Sequence, residues 1–223
     1  MIRNKEMSIE YLVAELSRFT LEQRFSLMQE KLAERTRYLT VCLENVFQAQ
    51  NASAVLRSAD AFGVQDVHVV ESRFPYRVNP DIALGSDKWL DIIRHASTEE
   101  AIESLKNNGY RIVAAMPEKN ADSIETFDLN TGKVALLFGT ELTGLSEYAV
   151  NRADERVYVP MCGFVESLNV SVSAAICMYA LVSRLKASEA NWRLDKDEKN
   201  RILFEWLKKS VRSSDLILKR IKN

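Results

Sequence analysis

The sequence lacks the long apolar runs and the cysteine patterns that mark several classes of protein. Its longest apolar stretch, Val172–Val182, is interrupted by Ser173 and is shorter than the roughly 20 residues that a membrane-spanning helix needs. The first residues, MIRNKEMSIEY, mix acidic with basic side chains and contain no continuous apolar segment of the kind found in secretory signals. The three cysteines, Cys42, Cys162 and Cys177, show no CxxC or Cys/His spacing. These absences predict a cytoplasmic protein with reduced thiols, no membrane span and no metal site.

Two glycine-rich signatures of nucleotide-binding enzymes are also missing. A Rossmann-type fold would be expected to place a glycine-rich turn after its first strand. Here the apolar run LTVCL at 39–43 leads into ENVFQAQN at 44–51, which contains no glycine. A phosphate-binding P-loop needs Gly-Lys followed by Ser or Thr, whereas the Gly-Lys at 132–133 is followed by Val134. The sequence therefore argues against a Rossmann-type dehydrogenase or methyltransferase and against a P-loop enzyme.

The net charge is close to balance, at −1 for 223 residues, but the charges are unevenly distributed. Residues 1–40 carry 7 basic and 6 acidic groups, residues 41–183 carry 11 and 19, and residues 184–223 carry 12 and 6. The middle of the chain therefore has a net charge of −8 and the last segment a net charge of +6. A basic segment of this kind can hold a polyanion by neutralising its phosphates, although a solvated helix face would give the same pattern.

Short apolar runs alternate with helical patterns through most of the chain, and 47% of the residues are hydrophobic, which is enough for one main core. Runs that are apolar on both faces and are separated by helices indicate an α/β fold, a mostly parallel sheet with helices on both faces. Strands are predicted at 39–43, 67–70, 111–116, 134–138 and 157–159, and helices near 52–62, 98–107 and 169–186. Further helices are predicted at 9–19, from a capping box of Thr20 and Gln23 through Leu32, and near 197–209 and 213–222.

Two segments at predicted strand ends carry polar residues suited to a site. In ENVFQAQNASAVLRSADAFGV, at 44–64, Asn51 is expected to cap a helix from which Arg57 projects nearly two turns later. In VALLFGTELTGLSEYAV, at 134–150, a buried strand runs into a loop that has Glu141 between Gly139 and Gly144. Ligands of parallel sheets bind at such carboxyl ends of strands. Taken alone, each segment is also explained by an ordinary cap or turn before a helix.

A third segment, VYVPMCGFVESLNVSVSAAICMYAL at 157–181, repeats the order of strand, loop and helix. Pro160 ends the predicted strand, Gly163 allows a tight turn, and the polar residues Ser167 and Asn169 precede the helix. The small residues that follow would let another helix pack closely; they are Ser171, Ser173, Ala174 and Ala175. By itself the segment is also explained by a plain cap ahead of a buried helix.

In combination the three segments form a specific pattern. The motifs, in chain order, are N-x-x-A-x-x-R-S (51–58), F-G-T-E-x-x-G-L (138–145) and V-P-M-x-G-x-x-x-S-L-N-V-S-V-x-A-A (159–175). The agreement continues in LENV (43–46), ADAFGV (59–64) and GSDKWL (85–90). Over roughly residues 36–186 the chain thus resembles the TrmH-type tRNA (guanosine-2′-O) methyltransferases of the SPOUT class.

The resemblance implies a fold and a reaction that composition and periodicity do not. The fold includes a deep C-terminal trefoil knot, and the implied organisation is an N-terminal helical extension (1–37), a SPOUT domain (38–186) and a basic C-terminal helical extension (187–223). The reaction transfers a methyl group from S-adenosylmethionine to a ribose 2′-hydroxyl of RNA, with guanosine 18 in the D-loop of tRNA as the first expectation. A homodimer is implied, in which each site borrows residues from the partner. The alternatives are a ribosomal-RNA 2′-O-methyltransferase and a non-catalytic RNA-binding protein of the same fold.

The resemblance also assigns roles to individual residues. Arg57 matches the arginine proposed to take the proton of the 2′-hydroxyl, or it stabilises the developing alkoxide. Positions that shape the site or hold RNA and cofactor are matched by Asn51, Glu141, Ser167 and Asn169. The cofactor is expected at Leu137, Gly139, Thr140, Gly144, Val159, Met161, Gly163, Leu168 and Asn169. The charge distribution, and not the resemblance, indicates where RNA is held: because the middle of the chain is acidic, RNA is expected at cations near the N-terminal helices and at the start of the basic segment, which are Arg24, Lys31, Arg35, Arg37, Arg184 and Lys186.

Two positions depart from the family pattern. Gln50 stands where some tRNA-modifying members carry a histidine, and Glu166 places an acid beside the Ser-Leu-Asn of the third motif. A carboxylate near an RNA site is unfavourable unless it is turned away or paired, so these positions bear on how the guanosine is recognised.

Overall fold

The computed structural model describes residues 7–73, 77–117 and 121–222, and they fall into two compact units. One unit is the continuous segment Thr36–Trp192, called the sheet unit below. The other combines the two ends of the chain, Met1–Arg35 and Arg193–Asn223, and is called the terminal unit. The boundaries predicted after residues 37 and 186 stay predictions.

Helices and strands alternate through the sheet unit, and the terminal unit is helical. The strands are β1 Leu39–Glu44, β2 Asp66–Val70, β3 Asp91–His95, β4 Tyr110–Ala115, β5 Asp122–Ser123, β6 Lys133–Phe138 and β7 Glu155–Tyr158. The helices are α1 Ile9–Ser17, α2 Glu22–Ala33, α3 Ala49–Phe62, α4 Pro80–Ala83, α5 Thr98–Asn107, α6 Glu147–Arg152, α7 Val170–Lys186, α8 Lys196–Ser210 and α9 Ser214–Lys222.

The strands form one seven-stranded sheet in the order β3-β2-β1-β6-β4-β7-β5, and every pairing in it is parallel. Successive residues of a strand point to opposite faces. Accordingly, Val41 and Leu136 join a core cluster with α3 and α7, whereas their neighbours Cys42 and Leu137 join a second cluster with α5 and α6. The predicted α/β fold, with helices on both faces of a parallel sheet, is therefore confirmed.

Because all strands run the same way, the segments that follow them meet at one edge of the sheet, called the carboxyl edge below. Asn45 follows β1, Glu71 follows β2, Met116 follows β4 and Gly139 follows β6. In sheets of this kind ligands bind outside the carboxyl ends of the strands. This edge is therefore where a site is expected.

The five predicted strands are all present, but two further strands were not predicted. The first, β3, carries Asp91 and Arg94 and is largely half-buried, so it has no continuous apolar run. The second, β5, has only two residues. The predicted capping box at Thr20 and Gln23 is wrong, because α2 starts after Leu21 and has no side-chain cap.

The terminal unit is built from helices at both ends of the chain. Contacts join α8 to α1, α2 and α9, and the apolar faces of α1, α2 and α8 are buried. A capping box of Asp195 and Glu198 starts α8, and the guanidinium of Arg35 lies 5.2 Å from the ring centroid of Trp206. Among the described residues no helix combines the length and the apolar character needed to cross a membrane.

Candidate active site

A cavity of about 370 Å³ lies at the carboxyl edge of the sheet. Its walls come from the segments after β4, β6 and β7 and from the first turns of α7. The lining residues are Ala115, Met116, Pro117, Phe138, Gly139, Thr140, Glu141, Leu142, Thr143, Gly144, Leu145, Val157, Val159, Met161, Ser167, Leu168, Val170, Ser173 and Cys177. The volume lies in the usual range of about 300–1,000 Å³ for small-molecule and cofactor sites.

The loop after β6 is a tight turn that requires glycine at one position and favours it at a second. Thr140 and Gly144 exchange two backbone hydrogen bonds, each of 3.0 Å. A Cβ atom on Gly139 would lie 2.0 Å from the carbonyl carbon of Gly144, which is far below any van der Waals contact. Gly144 itself has φ of 67°, in the left-handed region. The closed turn brings the backbone of residues 139–145 to the cavity wall.

The opposite wall is mostly apolar. It includes Val157, Val159, Leu168 and the buried thiol of Cys177. Burial raises the pKa of Cys177 to about 12, so this thiol stays protonated at neutral pH and is not a nucleophile. A wall of this kind suits an apolar or aromatic group, while the loop opposite offers backbone donors and acceptors.

A hydrogen-bond network joins the three sequence motifs beside the cavity. The Asn51 amide nitrogen donates to Oε1 of Glu141 at 2.7 Å and to Oε1 of Gln48 at 2.9 Å. Its amide oxygen accepts from Nδ2 of Asn169 at 3.1 Å. The Oδ1 atom of Asn169 in turn accepts from the backbone nitrogen of Ser171 at 2.8 Å. The network connects α3, the β6 loop and the start of α7.

The predicted helix cap at Asn51 is wrong. Helix α3 begins at Ala49, after Gln48, and its first residue precedes Asn51 by two positions. The Asn51 side chain is buried and its amide is committed to the network. Asn169 is the residue that caps a helix, because its side chain accepts from Ser171 at the start of α7.

Glu141 has a free acceptor at the cavity. Its Oε1 atom accepts from Asn51, but its Oε2 atom is buried without a hydrogen-bond partner in the described part of the chain. A buried carboxylate oxygen is costly to leave unpaired. The Oε2 atom is therefore available to a donor on a bound ligand.

Most of the residues predicted at the cofactor are found at the cavity. Gly139, Thr140, Gly144, Val159, Met161 and Leu168 all line it, as does Ser167. The structure does not bring the other three into the lining. Leu137 belongs to the core cluster on the other face of the sheet, Gly163 lies in an exposed loop, and Asn169 is reached only through the network.

Sequence reasoning missed the contribution of β4 and its following turn. Ala115, Met116 and Pro117 line the cavity because β4 is the neighbour of β6 in the sheet. The turn after a neighbouring parallel strand is expected beside the loop after β6, because the carboxyl ends of adjacent parallel strands lie together. No polar residue marks this turn, however, so the strand order was needed to find it.

Arg57 is exposed on α3. Within residues 7–73, 77–117 and 121–222 its guanidinium has no hydrogen-bond or ion-pair partner. It follows Ser53 by four residues, so the two lie on the same face of the helix. Gln50 and Glu166, the two departures from the family pattern, are also exposed.

Most of the cations predicted at RNA have contacts inside the protein. Arg35 is buried against Trp206, Lys31 pairs with Glu30, and Lys186 lies over the ring of Trp192. Arg184 donates to the backbone carbonyls of Ile124 and Phe127, while Arg24 is exposed.

Arg37 forms ion pairs with Asp66 and Asp91. Burial alone would lower the pKa of Arg37, but the two carboxylates outweigh it and the pKa is raised above its usual value. A cation held in this way is built into the sheet unit, between β2 and β3.

Comparison with known proteins gives one consistent result. The model of the SpoU rRNA Methylase family matches residues 38–179. A tRNA (guanosine(18)-2′-O)-methyltransferase from Borreliella burgdorferi is 39% identical over 202 residues, which are 91% of this chain and 92% of the relative. A protein of the same name from Escherichia coli K12 is 37% identical over 186 residues, 82% of this chain and 81% of the relative. The crystal structure of a TrmH/SpoU tRNA-modifying enzyme from A. aeolicus is 31% identical and has a TM-score of 0.75, covering 86% of this chain and 98% of that one.

Proposed function

The chain belongs to the SpoU rRNA Methylase family, and from this premise we propose that it methylates the ribose 2′-hydroxyl of guanosine 18 in the D-loop of tRNA. S-adenosylmethionine is the methyl donor. The observation that carries the proposal is the network of Asn51, Glu141 and Asn169, which joins all three motifs beside one cavity. Each motif alone is explained by an ordinary turn or cap, but a shared site explains their combination.

The cavity residues fit the chemical character of S-adenosylmethionine. Its adenine ring suits the apolar wall of Val157, Val159 and Leu168, and its polar groups suit the backbone of the Gly139–Gly144 turn. The Oε2 atom of Glu141 has no hydrogen-bond partner among the described residues, and the α-ammonium group of the cofactor could donate a hydrogen bond to it. When bound, the cofactor supplies the reactive methyl group, and the protein supplies position and electrostatic field.

Arg57 acts on the ribose hydroxyl. A neutral hydroxyl is a weak nucleophile, and its proton must leave as the new O–C bond forms. The Arg57 side chain is exposed and has no internal partner in the described chain, and it can act in one of two ways. It stays charged and stabilises the developing alkoxide, while the proton leaves to solvent or to a substrate phosphate, or it first gives one of its own protons to a substrate phosphate and then accepts the proton of the hydroxyl. Both roles require the same position beside the hydroxyl, so the residue is essential in either case.

The functional protein is a homodimer that pairs through α7. Val172, Ile176 and Tyr179 follow one another at helical spacing and are 46%, 36% and 62% exposed. Phe164 and Val165, in the loop before α7, are also exposed apolar residues. Several exposed apolar side chains close together in the chain favour an interaction site, and a second copy would bring its own residues to the neighbouring cavity.

The sheet unit contains the trefoil knot of its family, with α7 as the threaded element. Arg184, in the last turn of α7, donates at 3.0 Å to the carbonyl of Ile124 and at 2.6 Å to that of Phe127. These carbonyls belong to the segment that leads from β5 to β6. The contacts hold the end of α7 against the segment between β5 and β6, which supports the proposed knot.

Methyl transfer from labelled S-adenosylmethionine tests the substrate. We expect incorporation into an unmodified tRNA transcript and none into a transcript in which guanosine 18 is replaced by adenosine. A ribosomal substrate is the second candidate, because the family description itself names ribosomal RNA. If the methyl group is incorporated into 23S ribosomal RNA but not into tRNA, ribosomal RNA is the substrate. Binding of RNA without any transfer would instead leave a non-catalytic member of the fold.

A further inference from the structure

Three arginines of the sheet unit differ from the cations that the sequence singled out for RNA. Arg57, Arg73 and Arg77 are exposed, and none of them has a hydrogen-bond or ion-pair partner on its guanidinium within the described residues. In contrast, Arg37 and Arg184 are held by carboxylates or backbone carbonyls. A charge without an internal partner can neutralise a ligand without first breaking a hydrogen bond inside the protein.

The segment after β2 holds Arg73 at the carboxyl edge. Asn45, directly after β1, is buried with φ of 53°, and its Oδ1 atom accepts from Ser72 Oγ at 3.1 Å and from the Arg73 backbone nitrogen at 2.9 Å. These two bonds fix the backbone of Arg73 to the loop that leads into α3. The side chain of Arg73 therefore begins at the carboxyl ends of β1 and β2, and β1 is the direct neighbour of β6, whose following loop lines the cavity.

The other end of the segment is fixed to α3 itself. The backbone nitrogen of Asn79 donates to Ser53 Oγ at 2.7 Å, and Asn79 then caps α4. Arg77 precedes this contact by two residues, and Arg57 follows Ser53 by one helical turn on the same face. Arg77 and Arg57 thus approach one region of α3 from two sides.

Acidic groups near this region do not cancel its charge. Glu71 is paired with Arg94 at 2.6 Å. Asp81 lies in the first turn of α4, where a carboxylate is stabilised by the helix N-terminus. Residues 41–183 have a net charge of −8, yet within the described parts of the chain the guanidinium groups of Arg57, Arg73 and Arg77 have no carboxylate partner.

We propose that Arg73 and Arg77 form, with Arg57, a binding site for consecutive phosphodiester groups of the RNA substrate. Guanidinium groups bind phosphate through paired hydrogen bonds, and three of them at one edge can follow a backbone. The proposal rests on the RNA-directed function above and adds the element that positions the substrate. Arg73 and Arg77 are positioning residues here, whereas Arg57 also faces the reacting hydroxyl.

The test compares two double variants, Arg73→Gln with Arg77→Gln and Arg152→Gln with Arg156→Gln. The control pair removes the same number of positive charges. Arg152 ends α6 and Arg156 lies near the start of β7, so both are at the amino ends of the strands, opposite the carboxyl edge. Binding of an unmodified tRNA transcript is measured across a salt series, together with S-adenosylmethionine affinity, methyl transfer and thermal unfolding. We expect the first pair to weaken RNA binding about tenfold or more and to reduce the slope of log K against log salt by about 0.7–0.9 for each phosphate group that is no longer neutralised.

The matched measurements separate the possible outcomes. The variant Arg73→Lys with Arg77→Lys keeps the charge and is expected to recover most of the salt dependence. An unchanged salt slope in the first pair, or an equal loss in the control pair, would overturn the proposal. If the wild type binds the transcript through these arginines but transfers no methyl group, the proposed reaction fails and the phosphate site stands.

Discussion

Asn51 uses every hydrogen-bonding group of its side chain. Both amide hydrogens have acceptors, on Gln48 and Glu141, and the amide oxygen accepts from Asn169. An asparagine in this state holds three segments together and has no donor left for a substrate. We therefore propose that Asn51 aligns the site and that Arg57 acts on the reacting hydroxyl.

Replacing Arg57 separates these roles. We expect Arg57→Ala to reduce methyl transfer by at least about 10²–10³, the usual cost of losing one stabilising donor to a developing anion. The side chain is exposed, so unfolding temperature and S-adenosylmethionine affinity should stay close to those of the wild type. Single-turnover assays give the rate of methyl transfer, and calorimetry gives the unfolding temperature and the S-adenosylmethionine affinity. Turnover like that of the wild type would remove Arg57 from the mechanism.

Alanine substitutions at two glycines of the motifs are expected to have different effects on S-adenosylmethionine affinity. In Gly139→Ala the new methyl group meets the Gly144 carbonyl carbon at 2.0 Å, so the turn must open and the cavity wall must move. We expect a loss of S-adenosylmethionine affinity of about tenfold or more, since moving a backbone wall disrupts several contacts at once. In Gly163→Ala no atom lies within 4 Å of the added Cβ. Calorimetry on both variants checks the difference, and equal affinities would show that the turn does not hold the cofactor.

At the scale of elements, strands β2 and β3 are joined by a buried pair of histidines. His68 Nδ1 and His95 Nε2 lie 2.9 Å apart, and the rings are stacked with centroids 5.2 Å apart. Burial, with a smaller contribution from His95, lowers the pKa of His68 to about 4. Burial also lowers the pKa of His95, and Glu100 opposes this effect only in part. Both rings are therefore neutral in the folded protein at neutral pH.

This pair predicts a loss of stability in mild acid. The unfolded chain binds protons at its histidines near the usual pKa of about 6.5, whereas the folded chain does not. The contribution of the pair is thus complete above about 6.5 and is lost as the pH falls toward the folded-state value. Urea unfolding at pH 7.5 and 5.0 measures the change, and His68→Gln should show a smaller one. A pH dependence that is the same in wild type and variant would contradict this assignment.

The elements differ in how well the sequence predicts them. Strands such as β1 and β6 are buried on both faces. They therefore appear in the sequence as short, nearly continuous apolar runs, which are typical of strands in a parallel sheet. In β3 the burial is partial and the run is broken by charges, so no pattern was available. The network of Asn51, Glu141 and Asn169 spans separations of 90 and 118 residues. Only the strand order brings those positions together, and it is not visible in local periodicity.

The exposed apolar side chains of α7 predict that two copies of the protein associate into a dimer. Val172→Glu with Tyr179→Glu places charges in the proposed contact between copies, at side chains that are largely exposed in one copy. We expect sedimentation to change from a dimer to a monomer of 25.4 kDa, with loss of methyl transfer because the sites are shared.

Leu21→Glu is the matched control for this variant. Leu21 is 79% exposed but lies at the start of α2 in the terminal unit, away from α7 in the chain. The Leu21→Glu substitution should leave the dimer intact. A wild-type protein that is monomeric at micromolar concentration and fully active would contradict the shared site.

Nucleoside mapping identifies the atom and the nucleotide that receive the methyl group. Purified protein is incubated with S-adenosylmethionine and an unmodified tRNA transcript, and the RNA is digested and sequenced by mass spectrometry. We expect one added methyl group on the ribose of guanosine 18, and none when the Arg57→Ala variant replaces the wild type. A methyl group on a base, or on the ribose of another nucleotide only, would contradict it.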